Sequence, residues 1–249
     1  NGQSGLSVFD SGDPAQLPLL SQARNLGSFS TQTYPTDVGA LVLTTLMRTE
    51  HCGDLEFYVG HGARLAAVDA RGTDAVVVSE LNLGSDAFDV RLASGRLFVA
   101  GGEHEGSLHE PGKCSVLPVP PHDTLGLGQR TSYCGEKAPK GRLVIFSGAS
   151  KGSVELGALD FPFNLTSIEI VGDVAIVAAA EHGLVFVDVS NPVEPEELSR
   201  IPFDKSLSNT PGEPQRLKLI GDLLFVSAAG GSVVIVDVSD PRAPRLVSG

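Results

Sequence analysis

Residues Phe186 to Leu198 read FVDVSNPVEPEEL, and residues Ile235 to Val247 read IVDVSDPRAPRLV. Each stretch is a β-rich apolar run, a turn of Asp, Ser, Asn and Pro, and a second extended run. Asp and Ser side chains bond nearby backbone N–H groups, and Pro fixes φ while leaving the strand ladder. The phrase therefore encodes one strand–turn–strand unit, written twice. The recurring Asp188, Pro192, Asp237 and Pro241 read as turn residues, a better account than metal ligation or catalysis because it explains the recurrence.

Further copies lie upstream at Gly5 to Pro14 (GLSVFDSGDP), Ala63 to Asp74 (ARLAAVDARGTD) and, degenerately, Gly141 to Gly152 (GRLVIFSGASKG). Four of the copies are preceded by two more strand-like runs, most cleanly LTSIEIVG and DVAIVAAA from Leu165 to Ala180. One repeat is thus four short strands. Anchored on Asp10, Asp69, Ser147, Asp188 and Asp237, the copies are 59, 78, 41 and 49 residues apart. The shortest spacing falls near the ~40 to 45 residues of a four-stranded propeller blade. Helical periodicity is absent and Gly and Pro recur too often for long helices.

These features predict an all-β chain, a β-propeller of four-stranded antiparallel blades, since radial stacking leaves few exposed sheet edges. A β-sandwich is the runner-up but does not explain a repeat. The expected units are a half blade at 5–28 and blades at 37–84, 86–163, 164–203 and 214–249. The third carries an insertion at 103–140 in its second-to-third connection. VGALVLTT and DLEFYVG are expected as the first two strands of the 37–84 blade. The first copy begins at Gly5 with no room before it for inner strands. The expectation is therefore an open arc, part of a longer protein whose propeller has about six to eight blades.

The strings VFVDVSNPVEP and VIVDVSDPRAP resemble the LVIVD repeat of bacterial and archaeal secreted or cell-surface proteins. The resemblance is strong in the last two units, moderate near Gly5 and Ala63, and weak at Gly141, where Ser147 replaces Asp. It implies a propeller and an extracellular, cell-surface or periplasmic address, and it carries no catalytic motif.

Composition limits the partners. The 249 residues have a formal net charge of −12, which repels phosphate backbones and anionic headgroups, so nucleic acid is not an expected partner. No apolar run approaches the ~18 to 20 residues that span a bilayer. The three cysteines are Cys52, Cys114 and Cys134. Cys114 and Cys134 share the insertion and are expected to form a disulfide. Cys52, placed in a first-to-second turn on the opposite face, is expected to be free.

Three local signals could hold chemistry. HEGSLH at His104 to His109 has one residue too many for the zinc-protease helix motif, and His at i and i+5 lie about 140° apart on a helix. His104, Glu105 and His109 stay as weak metal candidates, with solvated loop residues preferred. GASKG at Gly148 to Gly152 matches G-x-S-x-G but sits where other units have a strand-to-strand turn, not the required strand-to-helix elbow. Asn164-Leu-Thr166 is a glycosylation sequon, relevant only in a eukaryotic secretory setting. No motif names a cofactor, Ca²⁺ included. Charged residues expected on innermost strands are Asp89, Arg91, Glu169, Arg216 and Lys218, about half of them facing the channel by alternation. They are few and of mixed sign. A non-catalytic binding or scaffolding propeller with a protein or glycan ligand is therefore preferred. The alternative is a propeller hydrolase or lyase with its site on the insertion face of the central channel.

Overall fold

The computed structural model describes residues 5–9, 19–24, 29–52, 55–71, 74–84, 86–103, 140–203, 213–229 and 231–248. They form eighteen strands in one two-stranded and four four-stranded antiparallel sheets. The first sheet pairs β1 (Gly5–Phe9) with β2 (Leu19–Arg24). The second runs β3 (Phe29–Thr36), β4 (Gly39–Cys52), β5 (Leu55–Asp69) and β6 (Val76–Asn82). The third runs β7 (Asp86–Ala93), β8 (Arg96–Glu103), β9 (Lys140–Phe146) and β10 (Glu155–Phe161). The fourth runs β11 (Ser167–Val171), β12 (Val174–Ala178), β13 (Leu184–Asp188) and β14 (Glu196–Ile201). The fifth runs β15 (Pro214–Ile220), β16 (Leu223–Ala228), β17 (Val233–Asp237) and β18 (Arg245–Ser248).

Every sheet is a meander, each strand bonded to its neighbours in sequence. The hairpins explain why. Val171 pairs with Val174 across Gly172-Asp173, and Ile220 with Leu223 across Gly221-Asp222. Gly172 and Gly221 have φ of 57° and 58°, the positive value that a two-residue hairpin requires and glycine supplies without strain.

Four apolar clusters lie between successive sheets. Leu6 packs against Ala40, Val42 and Val68. Leu43 and Leu65 meet Val90, Leu97 and Val144. Leu143 and Ile145 meet Ile168, Val177, Val185 and Val187. Ile176, Leu184 and Phe186 meet Leu224, Val226, Val234 and Val236. The motif strand Leu184–Asp188 thus feeds two cores, with Val185 and Val187 on one face and Leu184 and Phe186 on the other. All four are 0% exposed, which is why the string is continuously apolar instead of alternating. The sheets are therefore blades of a propeller-like fold. They do not close a ring: among the described strands, β1–β2 pairs with no other.

The second blade departs from expectation. Its first strand is β3, Phe29–Thr36, and GALVLTT belongs to its second strand. DLEFYVG is not a separate strand but the start of β5, which pairs with β4 as far as Cys52↔Leu55. The extra length is a long β4–β5 hairpin. Cys52 therefore ends a second strand, in the second-to-third connection. Segment 103–140 connects the same pair of strands in the next blade, β8 and β9. The placement of Cys52 on the opposite face is corrected: its connection shares a face with that of the insertion. Cys114 and Cys134 lie outside the described residues, as do His104, Glu105, His109 and Asp10.

Candidate functional site: the inner-strand polar ladder

Each blade's innermost strand ends at its first hairpin, in Thr36, Ala93, Val171 and Ile220. Counting back two residues gives Tyr34, Arg91, Glu169 and Lys218. Counting back four gives Gln32, Asp89, Ser167 and Arg216. These eight residues share one parity, so they share one face of their strands. All five charged residues singled out from sequence fall among them. The expectation that alternation would divide them is corrected, because they sit at only two register positions.

The six in the second, third and fourth blades form a ladder from blade to blade. Gln32 Nε2 donates to the Phe88 carbonyl at 2.7 Å, and its Oε1 lies against the Tyr34 hydroxyl. Tyr34 OH donates to Asp89 Oδ1 at 2.6 Å and accepts from the Val90 N–H at 3.0 Å. Asp89 Oδ1 also accepts from the Val90 N–H at 2.9 Å and from Arg91 Nη1 at 2.7 Å. Asp89 Oδ2 reaches the next blade, accepting from Ser167 Oγ at 2.6 Å and from the Ile168 N–H at 3.1 Å. Arg91 forks onto Glu169, Nε to Oε2 at 3.0 Å and Nη2 to Oε1 at 3.1 Å. The ladder continues into the fifth sheet: Leu217 N–H donates to Ser167 Oγ at 3.1 Å, and Leu219 N–H to Glu169 Oε1 at 3.4 Å.

The geometry decides what these groups can do. Asp89 is 1% exposed, and its two oxygens accept five hydrogen bonds. A buried carboxylate so engaged has no lone pair directed at a substrate. Burial alone would lower the Arg91 pKa. The hydrogen bond to Glu169 and the charge of Asp89 outweigh it and raise the value, so the guanidinium stays charged. Burial, aided by Asp89, raises the Tyr34 hydroxyl well above its usual range and keeps it a donor. The ladder joins consecutive inner strands through fixed, satisfied bonds. Arg216 and Lys218 hold the same positions in the last blade and are exposed.

The recurring turn is equally explicit. Asp69, Asp188 and Asp237 each accept the backbone N–H two residues on, from Arg71 at 3.0 Å, Ser190 at 2.9 Å and Ser239 at 2.9 Å. At the degenerate copy, Ser147 Oγ instead accepts the Val154 N–H at 3.1 Å. Hydrogen bonds from Ser190, and then from Arg242, hold Asp188 down at about 2. Pro192 and Pro241 lie in the turns that follow. Ser150 lies in the β9–β10 strand-to-strand hairpin, its carbonyl accepting from the Ser153 N–H at 3.0 Å. Asn164 is in the connection between β10 and β11. Among the described residues no three His, Cys, Asp or Glu side chains could hold a metal ion, and no helix is long and apolar enough to cross a membrane.

Sequence reasoning missed Gln32, Tyr34 and Ser167. Counting back from each first hairpin would have found them, given the correct start of the second blade.

Comparison with known proteins agrees with this architecture. Residues 164–201 and 211–249 match the LVIVD repeat, which covers the fourth and fifth blades. No curated protein matches the chain. Among solved structures, a protein from Desulfotomaculum acetoxidans DSM 771, described as functionally unknown, matches 98% of this chain with a TM-score of 0.54 and 13% identity. At that identity the likeness concerns the fold alone. The present chain spans 62% of that protein's length. The chain thus carries the LVIVD repeat in its last two blades.

Proposed function

We propose that the chain is a non-catalytic binding or scaffolding propeller of a secreted or cell-surface protein. Its ligand, a protein or a glycan, is taken on the face from which the second-to-third connections project. The observation that carries this reading is the ladder: the inner-strand carboxylates Asp89 and Glu169 are engaged in inter-blade bonds, as structural groups would be. The neighbouring second-to-third connections of the second and third blades, the β4–β5 hairpin and segment 103–140, supply variable length on one face, where loops on a rigid scaffold carry recognition. An oxidising compartment would let Cys114 and Cys134 bridge inside that segment and fix it.

The test uses the purified chain on a printed glycan array and on immobilised cell-surface protein extract, beside turnover assays with chromogenic esters, glycosides and lactones. The hairpin is then shortened by joining Thr45 to Ala63, which are paired, through Asn-Gly. Saturable binding that the shortened chain loses while keeping its thermal midpoint supports the proposal. Turnover that vanishes in Asp89→Asn would overturn it in favour of a hydrolase or lyase.

A further inference from the structure

We propose that the uncovered face of the β15–β18 sheet docks a further four-stranded blade of the same repeat type, whose inner strand offers carboxylate or carbonyl oxygens to Arg216 and Lys218. The repeat supplies the comparison. In the fourth blade the face turned toward the fifth carries Val174, Ile176, Leu184 and Phe186, each at most 2% exposed. Strand pairing puts Leu223, Phe225, Val233 and Ile235 at the same positions of the fifth blade. Leu223 is 38% and Val233 57% exposed, and Phe225 and Ile235 are partly exposed. The face is built as an inter-blade face and lacks its neighbour among the described residues.

The polar edge says what the neighbour must offer. In the three preceding blades, the side chains two and four residues before the first hairpin bond the next inner strand. Arg216 and Lys218 occupy those positions and can only donate. Arg91 already shows the matching arrangement: a cation two residues before its hairpin meets Glu169 at the same position of the next blade. Lys218 therefore fits a carboxylate at that register. A second copy of this chain, set against this face by its first sheet, offers only the two-stranded β1–β2, which has no inner strand among the described residues to face Arg216 and Lys218. The matched solved structure supplies the length argument, since this chain accounts for only 62% of it.

The experiment appends a copy of residues 162–203 after Gly249. That copy brings its own short connection and Glu169 at the register of Lys218. Val233→Cys is introduced in the original fifth blade, and maleimide labelling of that thiol is followed by peptide mass spectrometry. Labelling should slow at least about tenfold in the appended chain. Adding R216E and K218E, which turns attraction to the appended Glu into repulsion at two exposed sites, should restore the faster rate. An unchanged rate in the appended chain would overturn the proposal. So would slow labelling in the unextended chain with elution as a dimer, which would make a second copy the occupant.

Discussion

Replacing Asp89 by Asn keeps the shape of the side chain and removes one acceptor oxygen. The Asn amide nitrogen must take the place of one carboxylate oxygen. At Oδ1 it would face three donors: Tyr34 OH, the Val90 N–H and Arg91 Nη1. At Oδ2 it would face two, Ser167 Oγ and the Ile168 N–H. The second orientation is the cheaper one, because the Ser167 hydroxyl can turn and accept. It still strands the buried Ile168 N–H, at about 1–3 kcal/mol. It also removes one of two negative partners from Arg91, and breaking a buried charge pair costs about 3–5 kcal/mol when no second partner remains. Glu169 remains, so this part falls below that range, at about 1 kcal/mol, and the total expected loss is about 3 kcal/mol. Equilibrium urea unfolding measures it as a lowered midpoint at unchanged m-value. In a double-mutant cycle with Ser167→Ala, the two sites should couple by about 1 kcal/mol, because they share a hydrogen bond. A loss below about 0.5 kcal/mol, the size of an ordinary surface substitution, would refute the claim that this carboxylate ties two blades together.

Three further outcomes are expected. Gly157→Ala places a Cβ 2.4 Å from the Pro192 carbonyl oxygen and 2.7 Å from that of Val193, both backbone atoms of the next blade, so thermal unfolding should show a loss of about 1–3 kcal/mol. Phe186→Ala empties a site 0% exposed in the last inter-blade core and should cost about 3–5 kcal/mol by the same measurement. Asp188 is lowered from 3.8 to about 2, so its stabilising contribution is complete above pH 3.8 and is lost as pH falls through about 2; Asp188→Asn should flatten that part of an acid titration of the thermal midpoint.

The parts of the fold legible in sequence were those where one residue type has one job. The Asp-Val-Ser-Asn-Pro and Asp-Val-Ser-Asp-Pro strings build the same turn, and their spacing yields the blade. The second blade was misread for a physical reason. Central strands are covered on both faces, so GALVL is continuously apolar, with Val42 and Leu43 0% exposed. The inner strand FSTQTYPT is exposed at Thr33, Pro35 and Thr36. Thr33 is exposed where Val90, Ile168 and Leu217 are buried, because no inner strand precedes it among the described residues. A polar strand containing Pro35 carries little strand signal, while its apolar neighbour carries a strong one. The ladder was half legible. Charge marked Asp89, Arg91 and Glu169, but nothing in composition marks Gln32, Tyr34 and Ser167 until the register is known.

The central claim is that inner-strand side chains bond the backbone of the following blade. Residue-resolved amide hydrogen exchange at Leu217 tests it most directly, because its N–H donates to Ser167 Oγ of the preceding blade. The amide should be strongly protected in the native chain. In Ser167→Ala it should exchange at least about tenfold faster, the equivalent of about 1.4 kcal/mol, while Val226 in the neighbouring strand keeps its rate. Equal exchange at Leu217 in the two proteins would contradict the account.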